Sequence, residues 1–525
     1  MPPCAYCNAM ILSPEQYASL RFALNADLGV FAPELLVAGT ILLALFLRVF
    51  KTFDRIHLNA IAVWPLLAAL TFLGSRWYDL FHGIPGGPIF TGLLQMDAFA
   101  TFLRTLLILF AIAALWLGGI TGLPDREDSA DYLVLLLGAT LGMMVMVSAN
   151  HLIMVFVGLE MASLPCYALA GFLKGRKAGS ESALKYVLYG SAASGVALYG
   201  MSLLVAQFGT GSLTGIAHAY ATLVKSGGID GQTFAATALL LAGFAFKLSA
   251  VPFHFWLPDV FEGAAAEVGA FLSVASKAAA VGLTARFLLI LQHEVGPLDP
   301  GLLPRTLGVP LLISAMLTMT LGNLAALQQV NLKRLLAYST IAHAGVLLLG
   351  LAIFTADGAS ATLYYLLGYL PTNLAAFAVV AILRERAGIE TLNGLRGLWL
   401  RSPGLAGALA ISMLSLLGLP PLVGFAGKFQ VFEALYQAGR ANPSVGALHS
   451  VALGVAVLNT AISSGYYLKV LKLSFLDEPE VGAAPIAEGA SAGALLGVLA
   501  IAIVVLGLAW NPVVLFTARA VAEMG

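Results

Sequence analysis

The stretch LAGFAFKLSAVPFHFWLPDVFEGA, residues 241–264, decides the fold because Lys247 and Pro252 lie inside what otherwise has the composition of a lipid-spanning helix. A charged group at the centre of a bilayer costs roughly 2.5–3.5 kcal/mol on insertion scales. A buried proline lacks a backbone donor and breaks its helix. Irregular backbone at this depth is tolerated only where protein or a water-filled cavity surrounds it. We therefore expect a discontinuous membrane helix beside a hydrated, polar interior.

Four further ionisable residues lie within apolar stretches of the same kind. They are Glu160 in MVFVGLEMASL, Lys185 in SALKYVLYG, Lys277 in FLSVASKAAAVG and Lys428 in GFAGKFQVF. Such residues usually face a protected interior, pair with one another or with water, and mark ion or proton pathways. Lys185 differs from the others because it lies near the start of its span, where a snorkelling side chain reaches the interface. The set as a whole predicts an ion or proton pathway.

The composition of the chain is that of a polytopic membrane protein. Of its 525 residues, 60% are hydrophobic and 10% are charged, and the mean hydropathy is +0.91. Apolar runs of about 20 residues, the length that crosses a bilayer, follow one another along almost the whole sequence. We predict an all-α fold with about fourteen transmembrane spans. Their approximate limits are 28–49, 58–75, 97–120, 132–148, 150–172, 182–207, 234–256, 264–290, 308–328, 334–354, 359–383, 403–437, 446–472 and 489–516.

The distribution of lysine and arginine predicts the orientation. When alternate loops are assigned to one side, that side holds fifteen of the 27 basic residues, and the other side, termini included, holds six. The positive-inside rule places the larger group in the cytoplasm and both termini outside. The remaining six lie within spans and are the four lysines named above with Arg104 and Arg286, which we interpret as snorkelling. Glu34, near the outer end of the first span, is interpreted as a helix-packing or an interfacial carboxylate.

Spans four to eight and nine to thirteen resemble two copies of one unit. ALKYVLYGSAASGVALYG (183–200) aligns with TLYYLLGYLPTNLAAFAV (362–379), and VPFHFWLPDVFEGA (251–264) with LPPLVGFAGKFQVFEAL (419–435). A unit of five spans enters its second copy from the opposite face, so we predict inverted repeats, as in secondary transporters. The prolines at 420 and 421 predict that span twelve is broken like span seven. The predicted divisions are 1–130 with spans one to three, 131–292 as the first repeat, 305–475 as the second, and 485–525 with span fourteen.

The buried charges favour proton-relay chemistry. Burial disfavours the charged form of both lysine and glutamate, whereas an opposite charge nearby favours it. A Glu160–Lys247 pair would therefore change which partner holds the proton when the two groups separate. His254, just beyond the first break, and His343, within span ten, are candidate water-linked bridges because imidazole titrates near neutral pH. Ordinary hydrogen-bonded packing explains each histidine equally well.

Three carboxylates follow the first break at the predicted cytoplasmic face: Asp259, Glu262 and Glu267. They either collect protons or belong to a solvated loop, and both explanations stay open at this point.

Other site classes are not expected. Cys4 and Cys7 form an isolated C-x-x-C with no further ligands nearby, and three cysteines make no disulfide framework. The net charge of zero offers no face for nucleic acid. The sequence has no phosphate-binding glycine loop, no Ser/His/Asp set in a soluble domain and no cysteine array for an iron–sulfur cluster. We therefore expect no metal site, no cofactor site and no redox chemistry in this chain.

In this order, the segments resemble the antiporter-like membrane subunits of respiratory complex I, and most closely those of the subunit N (subunit 2) type. The resemblance covers roughly residues 30–475. It includes SANHLIMVFVGLEMASLPCYALAGF, ESALKYVLYGSAASG, FKLSAVPFHFWLPDVFEGA, NLKRLLAYSTIAHAG and LGLPPLVGFAGKFQVF. The last segment is the most discriminating, since it carries lysine where the M type has glutamate and lacks the serine-lysine-aspartate pattern of the L type. After DVFEGA the family usually continues with a Pro-Thr-Pro-Val type sequence, whereas this chain has AAEVGAFL.

The resemblance implies a proton-translocating subunit of NADH:quinone oxidoreductase, with Glu160, Lys185, Lys247, Lys277 and Lys428 as its proton relay. It implies that FMN, iron–sulfur clusters and quinone belong to partner subunits. It also implies neighbours of the M and K types, a lipid bilayer as surroundings, protons as the transported species, and a bacterial inner membrane. The alternative is a stand-alone or Mrp-type cation/proton antiporter. A third possibility is a structural spacer whose charges only hold subunits together.

Overall fold

A computed structural model describes residues 14–50, 58–123, 128–173 and 175–524, which form twenty α-helices and one short β-hairpin. Cys4, Cys7 and Lys174 lie outside these ranges. Within them, twelve helices are long and apolar enough to cross a membrane, and thirteen if one pair bent by 74° counts as a single span. The prediction of an all-α polytopic membrane protein is confirmed. The total of fourteen stays a prediction, because the apolar helix Pro403–Leu417 has only 15 residues.

The N-terminal part contains four helices and the hairpin. The helices are α1 (Pro14–Val30), α2 (Ala32–Arg48), α3 (Leu58–Phe81) and α4 (Ala98–Thr121). The hairpin, β1 (Gly87–Ile89) and β2 (Leu94–Met96), is antiparallel with Ile89 opposite Leu94. Asp97 begins α4 as its N-cap, since its Oδ1 accepts a hydrogen bond from the backbone nitrogen of Ala100 at 2.7 Å. This cap fixes the N-terminal end of α4 beside the hairpin.

The next helices can be divided into two sets, in each of which the third helix has 32 residues and a break lies between the fifth and the sixth. The first set is α5 (Ser129–Ser148), α6 (Leu152–Ala170), α7 (Lys177–Phe208), α8 (Leu213–Ser226), α9 (Gly231–Leu248), α10 (Trp256–Gly263) and α11 (Ala266–Val295). The second set is α12 (Val309–Leu327), α13 (Leu332–Leu351), α14 (Ala356–Ala387), α15 (Leu398–Arg401), α16 (Pro403–Leu417), α17 (Val423–Ala441) and α18 (Pro443–Phe475). The helices α19 (Ala490–Leu508) and α20 (Trp510–Ala522) complete the chain. The inverted relation of the two sets stays a prediction.

Each set contains one broken span, as predicted for spans seven and twelve. The first break separates α9 from α10 after Ser249, which has a φ of 58°. The second separates α16 from α17 after Gly418, which has a φ of 92°. Glycine suits this left-handed position because it has no Cβ to clash with the backbone. Both breaks contain the predicted prolines, so the discontinuity of the two spans is confirmed.

Three helices form the inner layer of the bundle. In the most apolar 18-residue window, 94% of residues are buried for α11 and 89% for both α13 and α14, against 28% for α7, α18 and α19. Helices that are apolar all round and buried form a core, whereas the outer helices present apolar side chains to lipid or to partners. Functional side chains on α11, α13 and α14 are therefore enclosed by protein on every side.

Two buried ion pairs join the N-terminal helices to each other and to the core. Arg104 on α4 donates to both carboxylate oxygens of Glu34 on α2, at 2.6 Å each. Arg286 on α11 donates to both carboxylate oxygens of Asp97, at 2.7 and 2.9 Å. All four side chains are at most 3% exposed. The prediction that Arg104 and Arg286 snorkel was wrong, because each guanidinium finds a carboxylate on a neighbouring helix. For Glu34, the helix-packing interpretation is confirmed.

We expect Arg286→Met to destabilise the protein by about 3–5 kcal/mol, because it leaves the Asp97 carboxylate buried without its counter-charge. The measurement is the thermal unfolding of the purified, detergent-solubilised assembly. Arg305→Met is the matched control, since Arg305 pairs with Asp299 at 2.7 Å with side chains 44% and 37% exposed. An exposed pair of this kind contributes roughly 0–1 kcal/mol. Equal losses in the two variants would contradict the assignment of a structural role to the buried pair.

Candidate functional site

Lys277 lies in the middle of α11, and its ammonium group reaches the broken end of α9. The side chain is 1% exposed, and its Nζ donates a hydrogen bond to the backbone oxygen of Leu248 at 2.6 Å. Leu248 is the last residue of α9, so its carbonyl is one of the four that lack an intrahelical partner. The partial negative charge at a helix C-terminus also stabilises a cation. The first break therefore supplies the partner of a buried lysine.

Lys428 has the same arrangement at the second break. Its Nζ donates to the backbone oxygens of Leu416 and Leu417, at 2.9 and 3.0 Å, and the residue is 6% exposed. These are the last two residues of α16, while Lys428 itself lies on the other half of the broken span, α17. Each set of helices thus holds one buried lysine against the free carbonyls of a broken helix.

Glu160 and Lys247 influence each other electrostatically but form no direct contact. Lys247 lies in the last turn of α9 and is 4% exposed, and its Nζ has no hydrogen-bond partner among the described residues. Glu160 lies on α6, and its buried Oε1 also has no partner. The two groups interact electrostatically, and the thiol of Cys166 lies near the same ammonium. The pair expected from the sequence therefore consists of two separated groups rather than an ion pair.

His343 lies on α13, within electrostatic range of the two lysines that occupy the breaks. It interacts electrostatically with both Lys277 and Lys428. Its Nε2 shares a hydrogen bond of 2.9 Å with the hydroxyl of Tyr467, and its Nδ1 shares another with the hydroxyl of Tyr365. Both ring nitrogens are therefore linked to hydroxyl groups, which can donate and accept protons. Of the two candidate histidines, His343 is the one that the structure places within electrostatic range of Lys277 and Lys428.

A small polar cavity lies beside Lys428 and His343. Its volume is about 20 Å³, and Asn323, Asn459 and Tyr466 contribute to its lining. Asn323 donates to the side-chain oxygen of Asn459 at 3.0 Å and accepts a hydrogen bond from the hydroxyl of Tyr466 at 2.9 Å. A polar cavity above roughly 10–15 Å³ holds one water molecule. The two asparagines were missed from the sequence, although a polar residue in an apolar span often marks a hydrogen bond between helices.

Lys185 belongs to a separate network at the end of the bundle. It is 37% exposed and pairs with Asp259 at 2.7 Å and with Glu181 at 2.8 Å. Arg334 joins the same group, since it pairs with Asp259 at 2.9 Å and with Glu262 at 2.5 Å. The network links α7, α10 and α13 around a cavity of about 290 Å³. The structure therefore places Lys185 apart from the buried lysines Lys247, Lys277 and Lys428.

His254 also lies apart from the buried lysines. It lies in the turn between α9 and α10 with its ring centroid 4.2 Å from that of Phe255. Its buried Nδ1 has no hydrogen-bond partner, and it forms no hydrogen bond with any of the buried lysines.

Two charged residues, at the starts of α13 and α11, are buried. Lys333 in the first turn of α13 is 3% exposed and donates to the backbone oxygen of Ala264 at 2.9 Å. Glu267 in the first turn of α11 is 2% exposed, and its Oε2 has no partner. The solvated-loop explanation for Glu267 was therefore wrong, because α13 and α5 cover the start of α11. Within the described ranges, no group of three or more His, Cys, Asp or Glu side chains is placed to hold a metal ion.

Comparisons with known proteins agree on one family. The profile described as "NADH:quinone oxidoreductase/Mrp antiporter, TM" matches residues 149–453. The "NADH-quinone oxidoreductase subunit N 2" of Sorangium cellulosum is 39% identical over 509 residues, covering 95% of this chain and 98% of that protein. A chain of respiratory complex I from Thermus thermophilus is 31% identical, with a TM-score of 0.73 over 92% of this chain and 98% of that chain.

A more distant likeness shows the fold alone. A chain of the Mrp complex from Dietzia sp. is 22% identical and has a TM-score of 0.77, covering 94% of this chain and 97% of that chain.

We expect Lys247→Met to leave the thermal unfolding temperature unchanged or to raise it. The substitution removes a buried ammonium that has no hydrogen-bond partner and keeps an unbranched side chain in its place. Thermal unfolding of the purified assembly measures this, with Arg286→Met as the comparison that loses a paired charge. A loss of stability in Lys247→Met as large as that in Arg286→Met would show that Lys247 has a structural role.

Proposed function

The chain belongs to the NADH:quinone oxidoreductase/Mrp antiporter transmembrane family, and from this membership we propose that it is the subunit N type, proton-translocating membrane-arm subunit of a NADH:quinone oxidoreductase. The observation that carries the proposal is the pair of lysines at the two helix breaks, Lys277 and Lys428, both of which interact electrostatically with His343. A spacer that only holds subunits together has no need of cations buried in its own interior, where their desolvation is unfavourable.

In the proposed proton line, which consists of Lys277, His343 and Lys428, two opposing effects act on each lysine amine. Desolvation disfavours the ammonium form, while the free carbonyls of α9 and α16 favour it. Because these effects oppose each other, a change in the charge of a neighbour decides whether the lysine keeps its proton. A proton leaving Lys277 reaches His343 through water or a hydroxyl group, and the second imidazole nitrogen gives up a proton toward Lys428.

Glu160 and Lys247 supply the control of this line. The Lys247 ammonium has no hydrogen-bond partner among the described residues, so it is influenced only through space, by the Cys166 thiol and by the Glu160 carboxylate. A change in the distance between Glu160 and Lys247 therefore changes the charge of Lys247 first. We propose that quinone reduction in partner subunits drives this change through the membrane arm.

The remaining parts of the machinery belong to partners. FMN, the iron–sulfur clusters and the quinone site lie in other subunits, and subunits of the M and K types are the proposed neighbours. The protein spans the membrane many times, and we propose the bacterial inner membrane with both termini on the outer side. Lys185 and its acidic partners then lie at the cytoplasmic face.

We expect Glu160→Gln and Lys247→Met each to lower quinone-coupled proton pumping by roughly tenfold or more, the range that a positioned proton-transfer group supplies. The complex should still assemble, because neither side chain is hydrogen-bonded at the buried atoms concerned. The measurement combines the assembled amount, the quinone reductase rate and the proton gradient on the same membranes. The exposed residues Glu478 and Lys225 provide matched controls as Glu478→Gln and Lys225→Met.

Full pumping per assembled complex in both deep variants would rule out the relay. Dependence of the gradient on sodium rather than on quinone reduction would instead favour the Mrp-type antiporter.

The orientation has its own test. Lys177 and Asp357 are both exposed, at the start of α7 and of α14 respectively. Single cysteines at these positions, as Lys177→Cys and Asp357→Cys, should react with an impermeant thiol reagent from opposite sides of the membrane, position 177 from the cytoplasmic side. Reaction of both cysteines from the same side would overturn the topology derived from the loop charges.

A further inference from the structure

The interface between α11 and α14 consists of successive layers that lead to Lys277. A Cβ added to Gly269 on α11 would lie 3.0 Å from the ring of Phe377 on α14. Four residues further along α11, Ser273 meets Asn373, which lies four residues back along α14. The two helices therefore run antiparallel, and these contacts are adjacent layers about one helical turn, or 5.4 Å, apart. Lys277 lies one turn beyond Ser273 on the same side of α11.

The Asn373–Ser273 layer has an unused hydrogen-bond acceptor. Asn373 is fully buried, and its Nδ2 donates to the hydroxyl oxygen of Ser273 at 2.5 Å. The Ser273 hydroxyl donates its own proton to the backbone oxygen of Ala270 at 2.7 Å. The Oδ1 of Asn373 accepts no hydrogen bond from any described residue. Buried polar atoms are normally partnered by protein or by water, so we take this oxygen as the place for a water molecule in the layer one helical turn from Lys277.

The neighbouring layer, one turn toward the start of α11, is aromatic. Phe377 is fully buried and packs edge-on against Phe261 of α10, with ring centroids 5.7 Å apart. The absence of a side chain at Gly269 is what lets the Phe377 ring lie across the helix interface. Beyond this ring lie charged groups again, since Lys333 donates to Ala264 just before α11 begins. Along the interface, the charged group of Lys333 is therefore followed by the aromatic layer of Phe377, then by the Asn373 amide, and then by the Lys277 amine.

We propose that the Asn373–Ser273 layer binds the water through which Lys277 exchanges protons with the Lys333 end of the bundle, and that Phe377 is the gate on this route. The inference rests on the proposed function, and it assigns two positioning residues and a gate to one step of it. The water bound at Asn373 Oδ1 gives a proton to the neutral amine of Lys277. Its oxygen takes a proton from the next water on the Lys333 side. One proton thus enters the line, and the Asn373 layer ends unchanged in charge.

The gate is tested by the access of water to a cysteine behind it. In the complete assembled complex, Ser273→Cys should react slowly with a small, water-soluble methanethiosulfonate applied from the Lys333 side. Combining it with Phe377→Ala should raise the reaction rate at least roughly tenfold, because thiolate formation needs water. Combining it with Phe110→Ala is the matched control, since Phe110 is an equally buried aromatic that packs against Phe271 elsewhere on α11. The modified peptide is quantified by mass spectrometry, which keeps Cys166 out of the signal.

The outcome is decided by the comparison of the two aromatic variants. A rate that rises with Phe377→Ala and not with Phe110→Ala supports the gate. Equal rates in both variants overturn it, whether both rise through loosened packing or neither changes.

The amide layer is tested by a pair of substitutions of similar size. Asn373→Leu removes the hydrogen-bonding groups and should lower proton pumping per assembled complex by roughly tenfold. Asn373→Asp keeps an oxygen acceptor and should restore most of that loss, which a purely packing role would not predict. Equal pumping in Asn373→Leu and the unmodified chain overturns the assignment. Equal losses in the two variants also overturn it, since they indicate a packing role.

Failure of this inference is distinguishable from failure of the proposed function. Lys277→Met that pumps normally would refute the relay itself, whatever the thiol reaction shows. Lys277→Met that stops pumping while Asn373→Leu pumps normally would refute only the route through Asn373.

Discussion

The hydrogen bonds from Lys277 and Lys428 to the free carbonyls of broken helices are the constraint on which the rest of the arrangement depends. A continuous helix uses its carbonyls internally and offers a buried ammonium nothing. Because α9 and α16 end at Leu248 and Leu417, the breaks that follow release such carbonyls in the interior, where water is scarce. The prolines, the left-handed Gly418 and the lysines are therefore parts of one feature, because a lysine without the break would be uncompensated.

The enclosing helices follow from the same requirement. Charges held by partial dipoles need protein around them, and the most buried helices, α11, α13 and α14, carry Lys277, His343 and Tyr365 respectively. The Arg286–Asp97 pair fixes α11 to the N-cap of α4. A buried ion pair thus fixes the position of the helix that carries Lys277, while Lys277 itself contacts no carboxylate of the described residues.

Local patterns were enough to predict the fold class, the broken spans and the deep lysines. Charge within an apolar run and proline in mid-span are visible in a few residues of sequence. Partners far apart in the chain are not. Arg286 and Asp97 are 189 positions apart, so the guanidinium could be interpreted only as snorkelling until the fold brought them together. For the same reason Glu267 resembled a loop carboxylate, because nothing near it in sequence shows that other helices cover it.

The state of Lys247 gives the strongest physical argument for a moving charge. Its ammonium is buried without a hydrogen bond, while Glu160 influences it only from a distance. Stability alone would select an apolar side chain at this position, since a buried unpaired cation is unfavourable in every static arrangement. A group that is neutral in one state and charged in another avoids this penalty for part of the cycle. Lys277 and Lys428 have backbone carbonyl partners instead, so the proposed relay joins one amine without a hydrogen bond among the described residues to two amines that have one.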